Sequence, residues 1–181
     1  MSTVGIVCEY NPFHKGHEYQ IQQAKLLTGA EHVICFMSGN FLQRGVPAIA
    51  DKHTRAEIAL RCGVDAVFEI PFVYAASSAR DYAHAAVCMM NALDGIDYIS
   101  FGAECDDMDL LQRIAELTVN EPPQVSESIK KSVSAGISYG SARAAAISGY
   151  LQSQNLTGYT SSDLDSIMAS PNNILAIEYI A

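Results

Sequence analysis

Short apolar runs alternate with amphipathic stretches over the first hundred residues of the chain. The runs are apolar at nearly every position, which is typical of strands buried on both faces of a parallel sheet. They cover residues 4–8, 32–37, 65–70 and 98–102. The stretches between them carry apolar side chains at helical spacing, over residues 17–27, 51–62 and 78–93. Strands and helices that alternate with short connections predict an α/β fold, a Rossmann-like doubly wound parallel sheet with right-handed crossovers.

The pattern changes after Gly102, where no further strand-like run occurs. Helical periodicity continues over residues 106–117, 126–134 and 141–151. The segment Asn120-Glu121-Pro122-Pro123 interrupts it, so we predict a Rossmann-like domain over residues 1–120 and a helical appendage over 121–181. Residues 153–163 are polar and predict a surface loop. The run at 174–180 is helical in spacing but has no end signal, so we expect the appendage to continue beyond Ala181.

Composition and charge narrow the class of protein. The net charge is −9 with only 11 Lys and Arg in 181 residues, which argues against a wide nucleic-acid surface in this segment. The five cysteines are dispersed without a C-x-x-C pair, which is typical of reduced, buried thiols in a cytoplasmic protein. No apolar segment is long enough to span a bilayer, so we expect no membrane partner.

Two histidines three residues apart follow the first predicted strand, in the segment Phe13-His14-Lys15-Gly16-His17. Gly16 permits close approach of a ligand to the backbone, and the start of the next helix offers N–H groups and a positive dipole end for phosphate. Each imidazole could donate a hydrogen bond to a phosphoryl oxygen as charge develops there. Ligands of doubly wound sheets bind at this edge. The alternative is a helix cap with two solvent-facing histidines.

The H-x-G-H string resembles the signature of the nucleotidyltransferase superfamily, whose members are related to class I aminoacyl-tRNA synthetases. Three further strings extend the likeness: Met37-Ser38-Gly39-Asn40-Phe41-Leu42-Gln43-Arg44-Gly45, Phe101-Gly102 and Pro171-Asn172-Asn173-Ile174-Leu175. With them the whole chain resembles the tRNA(Met) cytidine acetate ligase family. It departs from that family at Asp51-Lys52-His53, where Ser, Lys and an aromatic residue are usual, and at Ala176, where Gly is usual.

The resemblance implies a fold of nucleotidyltransferase type and an enzyme that uses ATP, Mg²⁺ and acetate. Such an enzyme makes acetyl-adenylate and transfers the acetyl group to N4 of the wobble cytidine of elongator tRNA(Met). Members of the family are considerably longer and have a second ATP motif beyond residue 181. The resemblance therefore implies that the tRNA is bound mostly by a missing C-terminal part, and that this fragment is not fully active.

The resemblance and the strand ends together give a set of expected site residues. The catalytic residues are expected to be His14, His17, Lys52 and Arg55. The ATP-binding residues are expected to be Val7, Cys8, Glu9, Tyr10, Asn11, Pro12, Phe13, His14, Lys15, Gly16, His17, Glu18, Tyr19, Gln20, Gly102, Asn172 and Asn173. An acetate or phosphate pocket is expected at Ser38, Gly39, Asn40 and Arg44, and no metal site formed by protein side chains is expected.

Each of these assignments has a structural alternative. Lys52 and Arg55 could lie on a solvated helix face, Ser38-Gly39-Asn40 could be an ordinary turn, and Arg44 could be a solvated loop charge. Glu69 and Glu104 follow strands and could reach the edge of the site, although such residues are more often surface carboxylates.

Two other classes of function remain open from the sequence. A conventional nucleotidyltransferase would adenylate or cytidylylate a phosphorylated small molecule with the same H-x-G-H site. A binding module would hold a nucleotide without chemistry.

Overall fold

The computed structural model describes residues 1–155 and 158–181. The described residues form, in chain order, β1 (Thr3–Cys8), α1 (Lys15–Thr28), β2 (His32–Ser38), α2 (Lys52–Arg61), β3 (Ala66–Ile70), α3 (Phe72–Ala75), α4 (Ala79–Ala92), β4 (Tyr98–Ser100), α5 (Met108–Val119), α6 (Pro123–Ser134), α7 (Tyr139–Ser153), α8 (Ser161–Ala169) and α9 (Pro171–Ile180). They divide into two compact units, residues 1–102 and residues 103–181.

The first unit is a four-stranded sheet in the order β3-β2-β1-β4, with each neighbouring pair parallel. Val4 of β1 pairs with Val33 of β2 on one side and with Tyr98 of β4 on the other. Because β1 lies inside the sheet, its run of apolar residues is buried, as the sequence predicts. The predicted Rossmann-like parallel sheet is confirmed.

Helices cover both faces of this sheet. Ile21 and Ala24 of α1 and Ala59 of α2 share a core with Val4 and Ile6 of β1. The opposite face carries α4. Met90 of this helix occupies the space left by the missing side chain of Gly5 on β1. A reversal of winding between β1 and β4 produces this two-sided arrangement, which confirms the doubly wound topology.

The second unit contains only helices among its described residues. Its buried side chains include Leu111 and Ile114 of α5, Ile147 of α7 and Leu164 of α8. An ion pair between the half-buried Arg143 of α7 and the buried Glu178 of α9 joins two of these helices. The predicted helical appendage is therefore present, with one helix, α8, that the hydrophobic pattern does not predict.

The division between the units lies after Gly102 rather than after residue 120. The reason is the position of α5, which packs on α9 within the second unit. The turn at Pro122 and Pro123 separates α5 from α6 inside that unit, so it marks a helix boundary and not a domain boundary.

The predicted loop over residues 153–163 overlaps the last residue of α7, Ser153, and the start of α8. It includes residues 156 and 157, which lie outside the described residues, and α8 begins at Ser161. All five cysteines are free thiols, of which Cys8 and Cys35 are buried, while Cys88 is exposed, contrary to the expectation that all are buried. Within the described part of the chain, no helix is long and apolar enough to cross a bilayer.

Candidate active site

The turn between β1 and α1 lies beside the point at which the sheet reverses its winding. β1 pairs with β2 and with β4, and the chain moves outward from β1 to β3 before it returns to β4. Ligands of open α/β sheets bind outside the carboxyl ends of the strands at such a point. Gly102 follows β4 on the same edge, and among the described residues no atom beyond its two chain neighbours lies within 4 Å of the position that its Cβ would occupy.

The two histidines of the H-x-G-H string form a reciprocal cap at the start of α1. The Nδ1 atom of His14 accepts a hydrogen bond from the backbone N–H of Gly16 at 3.1 Å. The Nδ1 atom of His17 accepts one from the backbone N–H of His14 at 3.3 Å. The rings stack with their centroids 3.7 Å apart. Because Nδ1 of each neutral ring is an acceptor, the proton of each ring is on Nε2, which is left to donate.

This cap changes the expected role of the helix end. Phosphate binding by N–H groups of the first turn requires those groups to be unused. The N–H of Gly16 is used by the His14 ring, and the N–H groups of His17 and Glu18 donate to the carbonyl of His14 at 2.9 and 3.2 Å. The imidazoles, and not these N–H groups, are therefore the hydrogen-bond donors that the turn offers to a ligand.

Gly16 is required by the cap itself. A Cβ at this position would lie 2.9 Å from Cε1 and 3.0 Å from Nδ1 of His14. Any other residue would displace the His14 ring or break its hydrogen bond.

His17 lies against a cluster of aromatic rings. Its centroid is 4.9 Å from that of Tyr10 and 5.5 Å from that of Phe13. Burial first, and the neighbouring His14 second, lower the pKa of His17 from its ordinary 6.5 to about 4. His17 is therefore neutral at pH 7, where it donates a hydrogen bond without carrying a charge.

Tyr10 fixes the path of the turn. It has a left-handed backbone conformation, with φ at 47°, which costs free energy for a residue that is not glycine. Its side chain is buried, its hydroxyl lies 3.2 Å from Sγ of Cys35 on β2, and its ring contacts Phe13. Burial raises the pKa of the Tyr10 hydroxyl, so it stays protonated. One residue further along, the Asn11-Pro12 peptide bond is cis.

Two of the expected ATP-binding residues hold the loop that follows β2. The Glu9 carboxylate accepts a hydrogen bond from the backbone N–H of Gln43 at 2.7 Å. The Asn11 amide oxygen accepts one from the N–H of Ile49, also at 2.7 Å. The structure therefore gives these two side chains a part in shaping the edge of the site.

Arg55 has a different place from the one expected of a phosphate ligand. It is 1% exposed. Its Nε donates to the carbonyl of Ala50 at 3.1 Å, and its two Nη atoms donate to the carbonyls of Glu9, Ser38 and Gly39. We therefore assign Arg55 a positioning role in place of the expected contact with substrate, because hydrogen bonds from its guanidinium join the ends of β1 and β2.

The remaining residues after β2 divide into buried and exposed groups. Ser38 is fully buried and its hydroxyl donates to that of Tyr82 on α4 at 3.3 Å. The amide oxygen of Asn40 accepts from the backbone N–H of Lys52 at 3.0 Å, at the start of α2. Arg44 is exposed on the hairpin closed by the Phe41–Pro47 bridge. Ser38 and Asn40 thus build the edge through their hydrogen bonds, although Asn40, like Arg44, is exposed.

Lys52 forms an ion pair with Glu69, the residue before the last one of β3, with Nζ 2.5 Å from Oε2. Sequence reasoning placed both residues near the edge but did not join them. The signal was available, because the start of a crossover helix and the end of the following strand lie on the same edge of a parallel sheet.

The other expected ATP-binding residues lie around the turn between β1 and α1. Val7 is half-buried and Cys8 is buried at the end of β1, and burial raises the pKa of the Cys8 thiol. Lys15, Glu18 and Tyr19 are exposed on the first turns of α1. Gln20 reaches β4 through a hydrogen bond of 3.5 Å from its amide nitrogen to the carbonyl of Ser100.

Asn172 and Asn173 belong to the second unit, and both amides are used inside it. The Asn173 amide oxygen accepts from the backbone N–H groups of Glu104 and Cys105 at 2.8 and 2.9 Å, and its nitrogen donates to the carbonyl of Ile167. The Glu104 carboxylate accepts from the amide nitrogen of Asn172 at 2.9 Å and from the backbone N–H of Asn173 at 2.9 Å. These contacts anchor the start of α9, which is a structural role that the sequence did not predict.

The second unit also contains an open groove of about 500 Å³, and none of the expected site residues lines it. Its lining residues are Asp109, Gln112, Arg113, Glu116, Leu117 and Leu151. Over residues 1–155 and 158–181, no three His, Cys, Asp or Glu side chains gather as a metal site.

Comparison with known proteins shows where this arrangement occurs elsewhere. The family model for HIGH nucleotidyl transferase matches residues 1–181. The tRNA(Met) cytidine acetate ligase of Clostridium perfringens (strain ATCC 13124) is 45% identical over 179 residues, which are 99% of this chain and 44% of that protein. The corresponding ligase of Halothermothrix orenii is 41% identical over 180 residues, 43% of its length.

The same likeness holds in three dimensions. A crystal structure of Thermotoga maritima TmcAL bound with alpha-thio ATP superposes with a TM-score of 0.92 at 39% identity, over 99% of this chain and 42% of that one. An apo form of the same protein gives the same values. The chain thus spans less than half the length of the relatives that it matches.

Proposed function

The chain belongs to the HIGH nucleotidyl transferase family, and from this premise we propose that it is the catalytic part of an ATP-dependent tRNA(Met) cytidine acetate ligase. The identity of 41–45% to ligases of that name supports the choice of reaction. ATP as the nucleotide is supported by the α-thio-ATP complex of the structural relative. The observation that carries the proposal is the histidine pair, whose two Nε2 donors stand at the ligand-binding edge of the sheet.

The proposed reaction has two steps. A carboxylate oxygen of acetate attacks the α-phosphorus of ATP, the bond to the β-phosphate bridging oxygen breaks, and acetyl-adenylate and pyrophosphate form. The N4 amine of the wobble cytidine then attacks the acetyl carbonyl, loses a proton, and AMP leaves with the electron pair of the broken acyl–oxygen bond. Neither step needs a covalent nucleophile from the protein, so positioning and charge stabilisation carry the catalysis.

His14 and His17 would act on the first step. Negative charge grows on the α-phosphate oxygens as acetate approaches, and a neutral Nε2–H donor held in place by its Nδ1 bond needs no reorganisation to meet it. Lys15, Gly16, Glu18 and Gly102 are proposed to line the nucleotide, and Arg44 is proposed to contact a phosphate or acetate oxygen. Mg²⁺ would neutralise part of the triphosphate charge. The elongator tRNA(Met) is proposed to bind mostly through parts of the protein outside this chain.

Single-turnover kinetics of acetyl-adenylate formation, with labelled acetate and full-length protein, would test the proposal. We expect His17→Ala to slow this step about a hundredfold or more, which is the usual cost of removing one such donor, while the Kd for ATP changes far less. His17→Gln, whose amide nitrogen can take the place of Nε2, should retain more activity than His17→Ala. His84→Ala is the matched control, because His84 is exposed on α4.

Product analysis separates this function from the alternatives. Acetylcytidine in tRNA(Met), detected by mass spectrometry and dependent on acetate and ATP, is the expected result. Pyrophosphate release that requires a phosphorylated small molecule instead of acetate would show a conventional nucleotidyltransferase. Nucleotide binding with no pyrophosphate release from any acceptor would show a binding module.

A further inference from the structure

The carboxyl ends of β2 and β3 carry an ion pair that the proposed function does not use. The Lys52 ammonium at the start of α2 lies 2.5 Å from the Glu69 carboxylate on β3. The two side chains are 33% and 45% exposed. A half-exposed pair of this kind adds little to stability, so stability alone does not account for the way in which the surrounding residues fix it.

Gly39 gives the Glu69 carboxylate its place. Gly39 is buried, and a Cβ on it would overlap Oε1 of Glu69. The carboxylate therefore lies directly against the backbone that follows β2, in the space that a side chain on Gly39 would occupy. Oε1 faces Gly39 and Oε2 faces Lys52.

The backbone on both sides of the pair is fixed. The guanidinium of Arg55 donates to the carbonyls of Ser38 and Gly39. The amide oxygen of Asn40 accepts from the backbone N–H of Lys52 at 3.0 Å, which holds the start of α2. Among the described residues the Lys52 ammonium pairs with Glu69. Because an ammonium has three N–H donors, two remain for another acceptor.

The position of the pair in the sheet indicates which substrate it would meet. The winding reverses between β1 and β4, so a nucleotide belongs on that side of the edge. β3 is two strands away from β1, or about 10 Å at the usual strand spacing. In an in-line displacement at the α-phosphate the attacking group must approach from a side that the nucleotide does not fill. The β2–β3 side is the one left for the co-substrate.

We propose that Glu69 is a positioning residue that holds the Lys52 ammonium over the ends of β2 and β3, where Lys52 binds the carboxylate of acetate. This proposal rests on the proposed function. An ammonium is a compact charge on a flexible stem, and without a fixed partner it would sample many positions. Gly39 is the part of the backbone that makes the arrangement possible.

Acetate-dependent exchange of pyrophosphate into ATP by the full-length protein tests the proposal. We expect Glu69→Gln to raise the KM for acetate about tenfold, as for the loss of one hydrogen bond to a charged group, and to leave the KM for ATP within about twofold. Gly39→Ala should reproduce this change by pushing the carboxylate aside, although both charges remain. Glu57→Gln is the matched control. It removes a carboxylate from the exposed Arg61–Glu57 ion pair of α2, in which the nitrogen–oxygen distance is also 2.5 Å.

A double-mutant cycle distinguishes positioning from a general structural effect. If Glu69 acts through Lys52, Glu69→Gln adds nothing further to the KM for acetate in a Lys52→Met background. Additive effects, an unchanged KM for acetate in Glu69→Gln, or a change confined to the KM for ATP or pyrophosphate would each overturn the assignment. A parent protein that shows no acetate-dependent exchange would instead refute the proposed function itself.

Discussion

Arg55 offers the strongest test of how the site is built. Substitution by alanine removes a buried guanidinium that donates to the carbonyls of Glu9, Ser38, Gly39 and Ala50. A buried acceptor left without its donor costs about 1 kcal/mol or more, so four of them give a loss of about 4 kcal/mol in the free energy of unfolding. That is a large part of the 5–15 kcal/mol typical of a folded domain.

Urea unfolding would measure this loss of free energy of unfolding. Because the chain has no tryptophan, the transition is followed by far-UV circular dichroism and by tyrosine fluorescence. With a slope of about 2 kcal/mol per molar urea, the midpoint should fall by about 2 M for Arg55→Ala. Arg55→Lys keeps the charge but has three donors on a shorter reach, and about half of that loss is expected. Coincidence of the two probes checks that the transition is two-state.

Arg61→Ala is the matched control on the same helix. Arg61 is 77% exposed and paired only with an exposed glutamate in the described structure, so its loss should change stability by no more than about 0.5 kcal/mol. A urea midpoint for Arg55→Ala within about 0.3 M of the parent's midpoint would be on the order of the experimental error. That result would refute the view that this guanidinium holds the two strand ends.

Three further predictions concern His17, Gly102 and Asn173. His17 has a folded-state pKa of about 4, below its ordinary 6.5. Between these pH values the unfolded chain binds more protons than the folded one, so the free energy of unfolding should fall as the pH drops from 6.5 to 4. His17→Gln should flatten that part of a plot of the urea midpoint against pH. The Cβ of Gly102→Ala meets none of the described residues beyond its chain neighbours, so the substitution should leave the melting temperature unchanged and weaken ATP binding measured by calorimetry. Equal affinity would place the nucleotide elsewhere. Asn173→Ala leaves the N–H groups of Glu104 and Cys105 without their acceptor and should destabilise the second unit by about 2 kcal/mol, whereas unchanged hydrogen exchange in α9 would contradict the anchor.

The sheet could be predicted from the sequence because β1 and β2 are mostly buried parallel strands with nearly continuous apolar runs, and the shorter, more exposed β3 and β4 still carry mostly apolar side chains between amphipathic helices. The helix α8 was missed because its first three residues belong to the polar stretch 153–163, although Leu164, Ile167 and Met168 have helical spacing and Thr160 and Asp163 form a capping box that marks its start. The short α3 follows Pro71 directly, and four residues are too few to show a helical period.

The position of the histidine pair could also be predicted, since an H-x-G-H string after the first strand of such a sheet falls on the ligand-binding edge. The role of Arg55 could not be predicted. Whether a charged residue on the first turn of a helix faces solvent or turns inward depends on where the carbonyls of Ser38 and Gly39 point, and those belong to another element. The same holds for Asn173, whose partners are about seventy residues away in the chain.

The reciprocal histidine cap has a consequence for the way such sequences diverge. His14 and His17 each satisfy a backbone N–H at the start of α1, so a descendant that lost all catalytic activity would still be selected to keep both for the sake of its folded state. Retention of the motif in a distant homologue therefore does not distinguish an active enzyme from a pseudoenzyme. Drift at a position where the described structure has room for a side chain, such as Gly102, is the earlier sign that selection for catalysis has been relaxed.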